Sequence, residues 1–244
     1  MKIRNSPKFG FAVFLATTAM VSGLSAQSKA PRPFDVVIDD PKLPRVLLIG
    51  DSISIGYTVE VRNLLAGQAN VHRPKENCAS TKQGLEKIDK WLGDKRWDVI
   101  HFNWGLHDLK YINERGRLGD PKDPKFNQQV PVEQYRKNLK KLVIRMEKSA
   151  DVLIWRSTTP VPEEGANGRI PGDSRIYNQV AHEVMQKLPK IQTDDLFAFV
   201  KPNQNQWKSS KGNVHFTKDA NLKLAGKVAE VIKAALPPAP ESGR

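Results

Sequence analysis

Four short segments of the chain are apolar at consecutive rather than alternate positions: Arg45-Val-Leu-Leu-Ile49, Asn70-Val-His72, Asp98-Val-Ile-His-Phe-Asn103 and Asp151-Val-Leu-Ile-Trp155. A strand buried on both faces needs such a run, and sheets of that kind are parallel and covered by helices. A weaker fifth run lies at 190–193. Between the runs the apolar spacing turns helical, at 54–66 (Ile55, Val59, Leu64, Leu65), 81–92 (Leu85, Ile88, Leu92) and 132–148 (Tyr135, Leu139, Leu142, Met146). Further helices are expected at 174–188 and 217–236, the last opening on Thr217 and Asp219, which suit a helix start. Strands alternating with helices predict one α/β domain, a doubly wound parallel sheet in three layers, with ligands at the carboxyl ends of the strands.

The ends of the chain read differently. Lys2, Arg4 and Lys8 precede an uncharged apolar run from Phe9 to Leu24, followed by the small residues Ser25 and Ala26. That is the pattern of an export signal over residues 1–26, and it places the mature protein in the periplasm or outside the cell. The alternative, an uncleaved anchor, is disfavoured by Gly10, Thr17, Thr18, Ser22 and Gly23 within the run. Residues 27–42 are read as an N-terminal arm, 43–236 as the domain and 237–244, rich in proline, as a disordered tail. No other span is apolar enough to cross a membrane, so the mature chain is expected to have no transmembrane segment. Cys78 is the only cysteine, which excludes an intramolecular disulfide and suits buried packing better than catalysis.

The formal charge of +13 over 244 residues suggests an acidic partner. The export signal accounts for three of those charges. Scattered lysines and the lack of a recognition motif argue against nucleic acid.

The chemistry is expected where the first run ends, at Gly50-Asp51-Ser52. A serine between a buried strand and a helix sits at the carboxyl edge, facing the positive end of the helix dipole, a position that favours an oxyanion. Such a hydroxyl needs a base to become a nucleophile. Of five histidines, His72 and His101 lie in strand patterns and His182 in a helix, where core or surface roles fit them. His215, in the loop before the last helix, and His107, just after the third strand, remain at the carboxyl edge.

These blocks together resemble the SGNH hydrolases of the GDSL esterase and lipase superfamily. Gly50-Asp-Ser-Ile53 resembles the family's first block, Asn77-Cys-Ala-Ser-Thr-Lys-Gln-Gly84 its second, Gly105-Leu-His-Asp108 its third and Val214-His-Phe-Thr217 its last. They run in family order across residues 45–236. The resemblance implies a flavodoxin-like sheet, ester hydrolysis by acyl transfer to serine, no cofactor or metal, Ser52 as nucleophile and His215 as general base. It also implies an oxyanion hole made of the Ser52 and Ala79 backbone N–H groups and the side chain at position 107.

Three departures bear on that expectation. Alanine stands at 79 where the family has glycine, which leaves an N–H in place. Histidine stands at 107 where the family has asparagine, and a neutral imidazole donates one N–H if a neighbour fixes its tautomer. Gly212 stands where the family has an aspartate three residues before the histidine. Either a backbone carbonyl orients His215 in a Ser–His dyad, the favoured reading, or a distant acid such as Asp195 or Asp219 reaches it; loss of catalysis is the bland alternative.

For substrate contacts the residues beside the blocks are the candidates: Tyr57, Asn103, Trp104, Asp108 and Arg156. The aromatics could stack on sugar rings or pack in the core. Arg156, Arg169, Lys110, Arg115 and Arg117 could form a basic rim for a sulfated or uronic acid polysaccharide, or be ordinary solvated charge. Several branches of the family that the chain resembles are carbohydrate esterases, so the resemblance implies removal of acyl groups, acetyl first, from an exported polysaccharide, an anionic one among the candidates. A lipase or thioesterase and a non-catalytic polysaccharide-binding protein are the alternatives.

Overall fold

The computed structural model describes Met1 and residues 30–188 and 191–238. The expected export signal, apart from Met1, lies outside the described residues, as do 27–29 of the arm and 239–244 of the tail.

The apolar runs are strands and the helical patterns are helices. In chain order they are β1 (Arg45–Ile49), α1 (Ser52–Leu64), β2 (Asn70–His72), α2 (Thr81–Leu92), β3 (Trp97–Phe102), the short pair β4 (Tyr111–Ile112) and β5 (Asn127–Gln128), α3 (Val132–Glu147), β6 (Ala150–Arg156), α4 (Asp173–Gln186) and β7 (Ile191–Asp194). Two short helices, α5 (Leu196–Val200) and α6 (Gln204–Trp207), lead to the long α7 (Lys218–Ala235). The sheet has the order β2-β1-β3-β6-β7 and is parallel throughout, with Val46 opposite both Val71 and Val99 and Ile100 opposite Leu153. This is the flavodoxin-like arrangement, in which the chain goes outward from β1 to β2 and crosses back to β3.

Burial explains the layers. Val46, Leu47, Leu48 and Ile49 are at most 2% exposed, so β1 has protein on both faces. Each such side chain stabilises the fold by about 1.5–3 kcal/mol. The helices divide into α1 with α7, and α2 with α3 and α4. Gly56 lets the first pair approach closely, because a Cβ there would lie 2.7 Å from Asn221 Oδ1.

Two features were not expected. The last part of the arm is fastened to the sheet: Asp39 pairs with Arg45 and His72, and the Asp40 N–H bonds Asn70 Oδ1 at 2.9 Å. The connection at 109–130 contains the antiparallel β4–β5 pair, and it is tied to the connection at 158–173 by a bond from Tyr111 N–H to the Gly168 carbonyl at 2.6 Å. Two loops that look independent in the sequence therefore form one wall beside the carboxyl edge. Among the described residues no helix is long and apolar enough to cross a membrane.

Candidate active site

The turn from β1 to α1 places Ser52 at the first position of the helix. Asp51 caps it, its side chain accepting from Ile53 N–H at 3.0 Å, while the Ser54 hydroxyl donates to the Asp51 carbonyl at 2.9 Å. A Cβ at Gly50 would lie 2.9 Å from Ser54 Oγ, so a side chain there would displace the Ser54 hydroxyl. Arg73 braces the turn from behind, donating to Ser54 Oγ, Thr58 Oγ1 and the Gly50 carbonyl at 3.2, 2.8 and 3.3 Å. The Ser52 N–H is left at the head of α1 with no intrahelical acceptor, as the first amides of any helix are.

His215 reaches this serine from the loop before α7. A bridge between Lys208 and Phe216, with Ser209 N–H bonded to the His215 carbonyl at 2.8 Å, fixes the loop, and Thr217 caps the helix. His215 Nε2 lies 2.8 Å from Ser52 Oγ. Its Nδ1 lies 2.8 Å from Asn213 Oδ1, which also accepts the His215 backbone N–H at 3.0 Å. An amide oxygen only accepts, so Nδ1 carries the proton and Nε2 is free to accept from the serine hydroxyl. The expectation of a backbone carbonyl or a distant acid is corrected: the orienting group is the Asn213 side chain. Asp195 caps α5 and accepts from Ser157 Oγ, and Asp219 lies in the first turn of α7.

His107 lines the same cleft. Lys110 Nζ donates to its Nδ1 at 3.3 Å, which leaves the proton of the neutral ring on Nε2. Burial lowers its pKa to about 4; Asp51 opposes the shift, and the cations Lys110 and Arg169 add to it. His107 is therefore a neutral imidazole with one N–H to offer.

Ala79 departs from expectation. Its φ of +36° lies in the left-handed region that favours glycine, in accord with the residue it replaces. Its N–H is already bonded to Asn77 Oδ1 at 2.9 Å, and Asn77, not Ala79, lines the cleft. In this structure the Ala79 N–H is not a free oxyanion donor.

The five residues expected to touch substrate are corrected as a group: each is at most 1% exposed. Tyr57 packs in the core, and burial pushes its phenol up to about 12. Trp104 donates to the Cys78 carbonyl at 3.1 Å, linking the second and third blocks. Asn103 donates to the Arg156 carbonyl at 2.7 Å and accepts from the Arg156 guanidinium, which ties β3 to β6 beneath the site. Asp108 accepts from Thr81 N–H at 2.8 Å, and burial lifts its carboxyl to about 7. These side chains build the floor and do not face the cleft. Arg156 also leaves the expected basic rim, whereas Lys110 and Arg169 do line the cleft and Arg115 and Arg117 are exposed on the turn between β4 and β5. Cys78 is fully buried, with its thiol pushed up to about 12 by that burial.

The cleft itself has a volume of about 840 Å³ and is bounded by the third-block loop, the wall at 164–169 and the His215 loop. Glu164 joins the last two, pairing with Lys208 and accepting the Gly212 N–H at 3.1 Å, at a glycine whose φ is +66°. Among the described residues no group of three His, Cys, Asp or Glu side chains is placed to hold a metal ion.

Comparison with known proteins agrees with the fold. Solved structures with the same fold include the acetyl xylan esterase AlAXEase (14% identity, 77% of this chain and 99% of that one, TM-score 0.61). The lipase/acylhydrolase from Enterococcus faecalis matches with 20% identity over 80% of this chain and 98% of its own, TM-score 0.61. The acetylxylan esterase Axe2 from Geobacillus stearothermophilus matches with 16% identity over 78% and 94%, TM-score 0.60. No curated protein sequence matches the chain. The sequence matches the GDSL-like lipase/acylhydrolase family over residues 46–228, three-quarters of its length, and the chain belongs to that family.

Proposed function

We propose that this acylhydrolase is an exported serine esterase that removes acetyl groups from a polysaccharide through an acyl-enzyme on Ser52. One observation carries the reading: Ser52 Oγ is 2.8 Å from an imidazole nitrogen whose tautomer is set to accept its proton. A serine and histidine so placed are the minimum for nucleophilic acyl transfer.

The steps follow from the geometry. His215 Nε2 takes the proton as Ser52 Oγ adds to the ester carbonyl. The resulting oxyanion is held by the Ser52 N–H at the head of α1 and by His107 Nε2–H, which the Lys110 ammonium on the opposite nitrogen makes a stronger donor. His215 then gives its proton to the departing alcohol oxygen, leaving acyl-Ser52. Water repeats the sequence, losing its proton to His215, and the acid is released as Ser52 recovers its hydrogen.

A small acyl group fits the cleft better than a lipid chain. Its apolar lining comes from Leu106, Leu118, Ala166 and Val214, interspersed with polar and charged residues. Two of the structures of the same fold are acetylxylan esterases, which supports an acetyl ester on a carbohydrate. The Ser52–His215 bond favours an enzyme over a binding protein without catalysis.

Mature protein should release acetate from p-nitrophenyl acetate and from acetylated polysaccharides. Ser52→Ala and His215→Ala should each abolish this, and release that survives in Ser52→Ala would refute the mechanism. Asn213→Ala should lower kcat by about 10–100-fold, since the imidazole loses the acceptor that fixes its tautomer. Asn213→Asp should instead raise kcat and move the acid limb of the pH–rate profile upward, because a carboxylate favours the imidazolium. His107→Ala should lower kcat by about 10²–10³-fold, the usual cost of an oxyanion donor, and His107→Asn should restore most of it. Because His107 is neutral down to a pH of about 4, the acid limb should stay in place in His107→Asn.

A further inference from the structure

The cleft holds more positive charge than its own carboxylates answer. Lys110, Arg169 and Lys211 line it. Two carboxylates line it as well, and both are committed elsewhere. Glu164 pairs with Lys208 and the Gly212 N–H. Asp51 is buried, caps α1 and lies 4.0 Å from Arg156. Among the described residues none of the three cleft cations has a carboxylate within ion-pair distance.

Arg169 is not a loose surface residue. Its Nε donates to the Leu106 carbonyl at 2.9 Å and its Nη1 to the Asn167 carbonyl at 3.2 Å, which fixes the plane of the guanidinium at the cleft wall. Its Nη2 has no partner among the described residues. The Lys110 ammonium spends one N–H on His107 Nδ1 and keeps the others. Both side chains are half-buried, and burial lowers both pKa values; for Lys110 the nearby Arg169 charge lowers it further. Two half-buried cations that repel one another, with no carboxylate in direct contact and only the buried Asp51 and Asp108 offsetting them through space, cost stability, and an anionic ligand relieves that cost.

We propose that Arg169, Lys110 and Lys211 form an anion subsite beside Ser52 and His215, and that the preferred ester carries a carboxylate or sulfate near its scissile bond. The inference rests on the esterase reading and adds the charge of the substrate to it. The negative group can belong to the sugar, as in an acetylated uronic acid, or to the acyl group, as in a half-ester of a dicarboxylic acid. A guanidinium held in plane with its Nη2 unpaired suits either, because carboxylate and sulfate oxygens both accept its N–H groups.

Two substrate pairs separate the sources. Acetylated polygalacturonate against acetylated glucomannan reads charge on the sugar, and the p-nitrophenyl half-ester of succinate against p-nitrophenyl butyrate reads charge on the acyl group. At low salt kcat/KM for the anionic member of at least one pair should exceed that of the neutral member by about tenfold or more. The advantage should fall toward unity at about 0.5 M NaCl, where exposed charges are screened. Arg169→Gln should shrink the same ratio, as should Lys211→Ala, which changes an exposed side chain that has no hydrogen bond or ion pair among the described residues. The pair that shows the preference locates the charge. Neutral esters cleaved with no anionic advantage in either pair would overturn the subsite and leave the esterase reading standing. Failure to cleave any of the four would overturn the esterase reading and this inference with it.

Discussion

The whole site depends on how β1 hands the chain to α1. A fully buried strand must end at the carboxyl edge, and within three residues the chain has to leave it, turn and begin a helix whose first amides have no partners. Gly50 leaves room for Ser54, Asp51 satisfies one of those amides, and Ser52 is left at the helix head with its hydroxyl outward. Arg73, from just after β2, holds the turn through three bonds while itself buried. The serine is thus placed by secondary structure rather than by a loop that could relax. Rigid elements of this kind hold a reacting group within the narrow geometry that chemistry needs.

What is brought to Ser52 is unusual in its polarity. His215 is oriented by a neutral amide oxygen, so under the proposed mechanism the tautomer is right but no carboxylate touches the imidazolium that forms. In a serine triad the acid supplies both effects, and losing the tautomer accounts for much of the damage when it is replaced. Keeping the orientation while giving up the charge leaves a weaker base. His107 and Lys110 work in the opposite sense. Burial, with Lys110 adding to it, keeps His107 neutral, and Lys110 polarises its remaining N–H, so in the proposed mechanism positive charge lies on the oxyanion side and little negative charge on the base side.

The sheet was legible because runs such as Val46 to Ile49 admit few other folds, and the Gly-Asp-Ser turn and His215 were legible because position along an α/β chain places them at one edge. The direction of side chains was not. Tyr57 follows Ser52 by five residues, about 140° around a helix, which turns it into the core while the serine faces the cleft. Trp104, Asn103 and Asp108 continue from a buried strand, and each is consumed in bonds between elements far apart in sequence. Asn213 stands two residues before His215, not at 212 where the resemblance places an acid, although an Asx side chain two residues before a histidine is a ready local acceptor. In the sequence Lys110 has the look of rim charge, and its spacing of three from His107 is the available sign that the two meet. Arg73 carried no sequence signal, since its partners are the Gly50 carbonyl and two hydroxyl groups of α1.

The central claim is that Ser52 is the nucleophile that carries the acyl group. Its most direct test is to treat the mature protein with a fluorophosphonate and locate the adduct by peptide mass mapping. The account predicts stoichiometric labelling on Ser52, slowed sharply in His215→Ala. Absence of labelling, or an adduct on another residue with Ser52 unmodified, would contradict it.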